Sequence, residues 1–241
     1  MANNSDEFDE QTEITCSAQA NDRRTFLKLT GGAALAAVAI GIGGAQVFGN
    51  GANVLSIPMG TQNGAAVDLG SGDTGILNYA YALEQLEAAF YTQALAQPYA
   101  NMSGLEKQIL TDLRDHEIVH REFFKAALGA SAIPSLTPNF SKIKFGDRKS
   151  VLGTAQVFED LGVAAYNGAG KLLQNPDFLV LAGKIVSVEA RHAAAIRDLI
   201  KPRTKYFAPD ALDKALDPPT VLKAAGAFIA TKITANNLPK A

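Results

Sequence analysis

The chain has 241 residues, 47% of them hydrophobic, with no Trp, and it is rich in Ala and Leu. That is enough for one ordinary domain with extensions, and the composition favours an all-α fold with a sizeable core. The net charge is only −2 and no basic patch is interleaved with aromatics, which argues against a nucleic-acid partner; the single cysteine, Cys16, rules out an internal disulfide.

Residues 1–52 read as targeting sequence rather than fold. A polar lead, with six acids and three bases in the first 45 residues, reaches Asn21-Asp22-Arg23-Arg24-Thr25-Phe26-Leu27-Lys28. An apolar, glycine-laden run follows from about Leu29 to Ala45. Paired arginines ahead of Phe-Leu-Lys resemble a bacterial twin-arginine export signal. A spanning helix needs roughly 20 strongly apolar residues, so the run is short for one, although an uncleaved N-terminal membrane anchor is the competing reading. The expected partner is the twin-arginine translocase and the expected location periplasmic or extracellular. That route carries folded proteins, which suits one that loads metal before crossing.

Residues 53–72, rich in Gly, Asn, Ser and Asp, read as a flexible linker, and 73–235 as the folded domain. Asp73 or Thr74 is the expected N-cap of a first helix that fades near Gln97-Pro98. Its predicted inner face is Leu77, Ala80, Tyr81, Glu84, Ala88 and Tyr91, spaced by three and four. Ser103 with Glu106 forms a capping box for a second helix ending near Gly129, with Leu110, Leu113, Glu117, His120 and Phe124 inward. Residues 130–149, holding Pro134 and Pro138, make a long connection able to cross the length of a bundle. A third helix over about 150–173 points Leu152, Ala155, Glu159, Val163 and Tyr166 inward. Asn175-Pro176 turns the chain into a fourth, over about 177–200, with Ala182, Ile185, Glu189, His192 and Ile196 inward, and Pro202 stops it. A short C-terminal helix is expected near Thr220–Thr231.

Two stretches carry the chemistry: Asp115–Arg121 (DHEIVHR) and Val188–Ala193 (VEARHA). Each contains Glu-x-x-His, Glu117 with His120 and Glu189 with His192, and residues three apart on a helix share a face. Each is preceded by a Glu followed seven residues later by a Tyr: Glu84 with Tyr91, and Glu159 with Tyr166. The chain is thus an internal repeat of a helix pair. Two copies supply four Glu and two His, the ligand set of a di-metal carboxylate four-helix bundle.

Ionised carboxylates on an apolar helix face are expensive to bury. Two divalent cations would balance four carboxylates with both imidazoles neutral, and oxygen with imidazole suits iron or manganese, though it also admits zinc. Solvated surface glutamates are the bland alternative for any one of these positions. Matched neighbours in two copies argue against it for all six. Glu87 lies three residues after Glu84 but aligns with Gly162 in the repeat, so it is expected beside the ligands or at the surface. His116 is expected at the surface, and Arg191 paired with an acid away from the metals. Tyr91 and Tyr166 are the candidate catalytic residues, as hydrogen-bond donors to ligand carboxylates or as redox neighbours, with aromatic packing as the competing role. Ala164, Ala165, Gly168 and Gly170 either leave a channel to the site or allow close helix packing.

The lines LNYAYALEQLEAAFY, FEDLGVAAY and VEARHAAAIRDLI resemble the ferritin-like superfamily, specifically exported bacterial ferritin-like domain proteins related to plant desiccation-related proteins. The resemblance spans roughly 73–230. It implies a ferritin-like four-helix bundle with one long crossover between helices 2 and 3, and two metal ions, iron or manganese, with Glu117 and Glu189 as the bridging pair. Function across the superfamily diverges, and fold does not choose among its members. One expectation is a di-metal oxidoreductase (ferroxidase, peroxidase or manganese-catalase-like) whose small-molecule partner is dioxygen or peroxide, in oxidative stress or metal handling. The others are a non-catalytic stress protein with structural metals, and an iron store, which requires a symmetric homo-oligomer that the sequence does not specify. Replacing both Arg23 and Arg24 with Lys should leave the protein in the cytoplasm, which fractionation of the expressing cells checks; full recovery outside the cytoplasm contradicts the export reading.

Overall fold

The computed structural model describes residues 66–240; the twin-arginine stretch and residues 53–65 of the expected linker lie outside the described residues. The elements in order are β1 (Val67–Asp68), α1 (Gly72–Ala96), α2 (Gly104–Leu128), α3 (Arg148–Ala169), α4 (Pro176–Ile200), α5 (Pro218–Ala225) and β2 (Ile233–Thr234). The four long helices form an all-α bundle in which α1 packs chiefly on α2, and α3 on α4. None of the described helices is long and apolar enough to cross a membrane.

The link between α1 and α2 is short, so the two are antiparallel. The link from α2 to α3 spans residues 129–147. A helix of 25 residues, such as α2, rises about 37 Å at 1.5 Å per residue, and an extended chain of that link's length covers more. The link can therefore return the chain to the starting end, setting α3 parallel to α2 and antiparallel to α1. It is packed down rather than loose. Phe140 and Phe145 lie with their rings 6.1 and 5.9 Å from that of Phe90 on α1, and Phe158 on α3 meets the same ring at 5.1 Å. Each such aromatic pair contributes about 0.5–1.5 kcal/mol beyond its buried area.

The inner stripes expected on α2 and α3 are buried as read. On α4 the buried set is Ile185, Glu189, His192, Ala193 and Ile196, with Ala182 only half-buried. Helix α1 departs from the expectation of a single stripe, because it is buried almost all round from Gly75 to Ala94. The crossover covers its outer face. Asn78 explains how a polar residue is tolerated there: its amide donates to the carbonyls of Leu69 and Ser131 and its Oδ1 accepts from Ile133 N. Gln85 Oε1 likewise accepts from Leu136 N.

Capping follows the sequence at α2 and not at α1. Glu106 N donates to Ser103 Oγ and Ser103 N to a Glu106 carboxylate oxygen, the reciprocal box expected. The other Glu106 oxygen accepts from Arg148 Nε at 2.6 Å, while Arg148 Nη2 donates to the Leu199 carbonyl at the end of α4. At α1 the cap position falls on Ser71, and Asp73 sits in the first turn. Its carboxylate accepts instead from Gln174 N and Asn175 N, stitching the α3–α4 turn to the start of α1. A negative charge in the first turn still meets the positive end of the helix dipole.

Two boundaries differ from expectation. Residues 67–71 were expected in the linker, but β1 pairs in parallel with β2 and Leu69 is fully buried. The C-terminal helix starts earlier and is shorter than expected, giving way to a 3-10 turn at Gly226–Phe228. Its Val221 and Ala225 are fully buried.

The run of small residues on α3 serves close packing. Leu216 N donates to the Ala164 carbonyl, and a Cβ built on Gly168 would lie 1.8 Å from the Leu216 carbonyl oxygen. Gly153, on the same helix, has open space where its Cβ would be. Gly168→Ala should therefore force the Leu216 segment off α3 and cost about 1–3 kcal/mol, as overpacking does. Gly153→Ala should be neutral or stabilising by up to about 1 kcal/mol. Urea midpoints of the full chain check the contrast, with limited proteolysis locating the loosened segment.

Candidate metal centre

Each long helix delivers part of one buried polar cluster. Glu84 comes from α1, Glu117 and His120 from α2, Glu159 from α3, and Glu189 and His192 from α4. The four carboxylates have no solvent exposure, and the imidazoles are 9% and 3% exposed. The structure thus brings all six of the sequence-selected residues to one place.

They fall into two groups sharing the central pair. In the first, His120 Nδ1 lies 3.4 Å from Glu84 Oε2, 3.4 Å from Glu117 Oε2 and 3.1 Å from Glu189 Oε1. In the second, His192 Nδ1 lies 2.8 Å from Glu117 Oε1, 3.3 Å from Glu159 Oε2 and 3.7 Å from Glu189 Oε2. Each group could hold a metal ion, with all its donor atoms within 4.8 Å of one another. Bonds of about 2.1 Å put neighbouring donors about 3.0 Å apart in an octahedron and about 3.4 Å apart in a tetrahedron. The observed separations are of that size.

Which atoms lack partners is more telling than the distances. Glu84 Oε2, both oxygens of Glu117, Glu159 Oε2, both oxygens of Glu189 and both Nδ1 atoms are buried without an aligned hydrogen-bond partner. A buried polar atom left so costs about 1–3 kcal/mol, and more when charged. Glu84 and Glu159 each have their other oxygen occupied: Tyr166 donates its hydroxyl to Glu84 Oε1, and Tyr91 donates to Glu159 Oε1. What remains is one free oxygen on each outer carboxylate, two on each central one, and two imidazole nitrogens. That set divides into four donors for each of two cations.

Protonation shows the same need for positive charge. Burial raises the Glu117 carboxyl well above its usual range, and the Glu189 charge adds to this. Burial alone would lower both imidazoles. The surrounding carboxylates override it, pushing His192 up to about 12 and holding His120 well above its ordinary value. Glu189 is likewise pushed by burial upward, but the two imidazoles bring it down to about 2. As a purely organic cluster, the site is held together by two imidazolium charges.

Of the neighbours of the cluster, His116 has a part that the sequence reading does not give it, and Glu87 takes the first of its two expected places, beside the ligands. His116 has an exposed face, as expected of a surface histidine, but its ring is not idle. It stacks on His192 with Nδ1 2.8 Å from His192 Nε2, and burial with the nearby histidines keeps it below its usual pKa. A neutral His116 can accept at Nδ1 the proton on His192 Nε2, leaving His192 Nδ1 as the free donor. The signal was present: His116 precedes His120 by four, so the two share a helix face. Glu87 is buried, at 4% exposure, and turned towards the cluster rather than the surface. Arg191 is exposed, and the nearby ion pair joins Arg197 on α4 to Asp160 on α3 at 2.6 Å.

Residues 72–202 match the family model of the ferritin-like domain. No curated protein matches the chain.

The histidine shifts predict how the site responds to pH. Both imidazoles carry protons at neutral pH in the metal-free fold and must release them before Nδ1 can bind a cation, so metal affinity should rise with pH. A raised histidine pKa stabilises the metal-free fold fully below the unfolded value of about 6.5, and that stability is lost as pH climbs towards about 12. The buried, raised Glu117 acts in the same direction above its unfolded value. With chelator present the melting temperature should therefore fall from pH 6.5 to 9, and with excess Mn2+ it should not. Calorimetry in two buffers of different ionisation enthalpy should show protons released as both positions fill, the two imidazolium protons among them. A pH-independent affinity contradicts this account.

Proposed function

The chain belongs to the ferritin-like domain family, and from that premise we propose that it is a di-metal carboxylate protein of iron or manganese that reacts with peroxide or dioxygen. The observation that carries the reading is the set of eight buried donor atoms without an aligned hydrogen-bond partner, divided four and four. Glu84, Glu159, His120 and His192 would hold the ions from outside, and Glu117 and Glu189, shared by both groups, would hold them from between. Iron and manganese accept six ligands with oxygen and imidazole donors, so four protein donors leave positions for a small molecule.

Two such ions, when bound, would supply the two electrons that turn one peroxide and two protons into two waters, and a second peroxide, oxidised to dioxygen with loss of two protons, would return those electrons. The remaining work belongs to the protein. Tyr91 and Tyr166 keep their protons, since burial and the adjacent carboxylates raise both phenols well above their ordinary values. They fix the outer carboxylates so that Oε2 of each faces the cluster. His116 fixes the ring of His192 and connects it to solvent. With all four carboxylates enclosed, the reactant must be as small as peroxide or dioxygen. The Arg23-Arg24 segment supports export by the twin-arginine route, and a role in oxidative stress or metal handling outside the cytoplasm.

Protein from the native host should contain two iron or manganese ions per chain and consume peroxide. Glu117→Ala removes a donor from both positions and should lower consumption by about 100-fold or more, together with metal content. Two ions bound without turnover favours a structural metal site, and iron uptake far above two per chain favours storage; either result overturns the catalytic reading.

A further inference from the structure

The internal repeat is symmetric in its ligands but not in what lies between them. Glu84 corresponds to Glu159 and Tyr91 to Tyr166, whereas the partner of Glu87 is Gly162. In the structure those two unlike positions meet. A Cβ placed on Gly162 would lie 3.2 Å from Glu87 Oε1 and 3.5 Å from Glu189 Oε2. The absence of a side chain on α3 is thus what leaves room for the Glu87 carboxylate beside a central carboxylate of the cluster. The oxygen it approaches, Glu189 Oε2, belongs to the group that contains His192, whereas Glu189 Oε1 serves His120.

Glu87 is only 4% exposed. Burying a carboxylate is costly unless something positive is near. Nothing in the packing of α1 requires a carboxylate here, since the helix turns before and after bury Leu83, Leu86 and Phe90. We propose that Glu87 is a seventh donor to the metal centre, seated in the notch left by Gly162, which makes the two metal positions unequal and strengthens the one built on His192 and Glu159. This rests on the di-metal reading above and adds to it a difference between the two ions. Burial, and then the charges of Glu189, Glu117, Glu159 and Glu84, raise the Glu87 carboxyl well above its usual range in the metal-free fold.

The charge count has a consequence. Four carboxylates balance two divalent ions, and a fifth leaves the filled site one negative charge over. The centre as a whole therefore favours ions of higher charge, or tighter binding of the divalent pair, than the six-residue set alone.

The test is stepwise Mn2+ binding to chelator-stripped full-length protein, with free Mn2+ read by electron paramagnetic resonance. The wild type should bind two ions in steps at least tenfold apart. Glu87→Gln keeps the shape and removes the donor charge; it should still bind two ions, with the tighter step weakened ~10–100-fold and the two steps drawn together. Gly162→Ala leaves Glu87 in the sequence but fills its notch, and should weaken the same step. With Co2+ in place of Mn2+, both variants should change the visible absorption of one bound ion and leave the other unaltered. Unchanged affinities and an unchanged Co2+ spectrum in Glu87→Gln overturn the donor role, as do two equal steps in the wild type. A wild-type protein that binds neither ion overturns the di-metal reading itself, so the two failures are told apart.

Discussion

Four carboxylates with no exposure to water cannot all carry charge side by side unless positive charge sits among them. That constraint organises the bundle. It explains why each of the four long helices spends an inward position on a glutamate that an ordinary core would give to Leu. The rest of the interior serves this arrangement. Phe90, Phe158 and the crossover aromatics exclude water on one side, and Asn78 and Gln85 satisfy the crossover backbone where it seals the outside of α1. A dry surround strengthens each electrostatic interaction in the site, for better when charges are matched and for worse when they are not.

The orientation of the donors depends on an exchange between the two halves of the chain. On one helix, residues seven apart lie about 10 Å along the axis, so Tyr91 cannot reach Glu84, nor Tyr166 reach Glu159. Because α1 and α3 run in opposite directions, Tyr91 meets Glu159 and Tyr166 meets Glu84. Each half therefore sets the carboxylate of the other. The crossover makes this possible, since a short link between α2 and α3 would have set α3 parallel to α1 and matched the residues wrongly.

Much of this was legible because the repeat states it twice. The four long helices, their order, the crossover and the six residues of the cluster follow from spacings of three, four and seven, which depend only on helix geometry. What was not legible depended on contacts between distant segments. Asp73 has the chemistry of a cap, but the backbone of residues 174 and 175 was the better-placed donor. The Gly- and Ser-rich stretch before α1 looked exposed by composition, yet Leu69 is buried where β1 meets β2, a pairing of segments over 160 residues apart. Helix α1 reads as one stripe, but its alanines and aromatics also suit burial on the other side, and only the packed crossover decides between them. His116 and Glu87 are the instructive pair. Helical spacing placed both near the cluster, and comparison of the repeats set Glu87 aside because Gly162 does not match it. Gly162 is the complement of Glu87 rather than its counterpart.

The reciprocal bonds between α1 and α3 also say something about a single hairpin. Alone, one helix pair would hold half the donors, an outer carboxylate with no phenol to steady it, and a phenol with nothing to grip. Two copies docked head to tail would restore the full arrangement, but only at protein concentrations sufficient for dimerisation. Joining the halves through residues 129–147 replaces that encounter with a tether, and a tether of such length acts like a millimolar partner that never dilutes away. The strand of chain that appears merely to span the bundle therefore sets the concentration at which one half of the site sees the other.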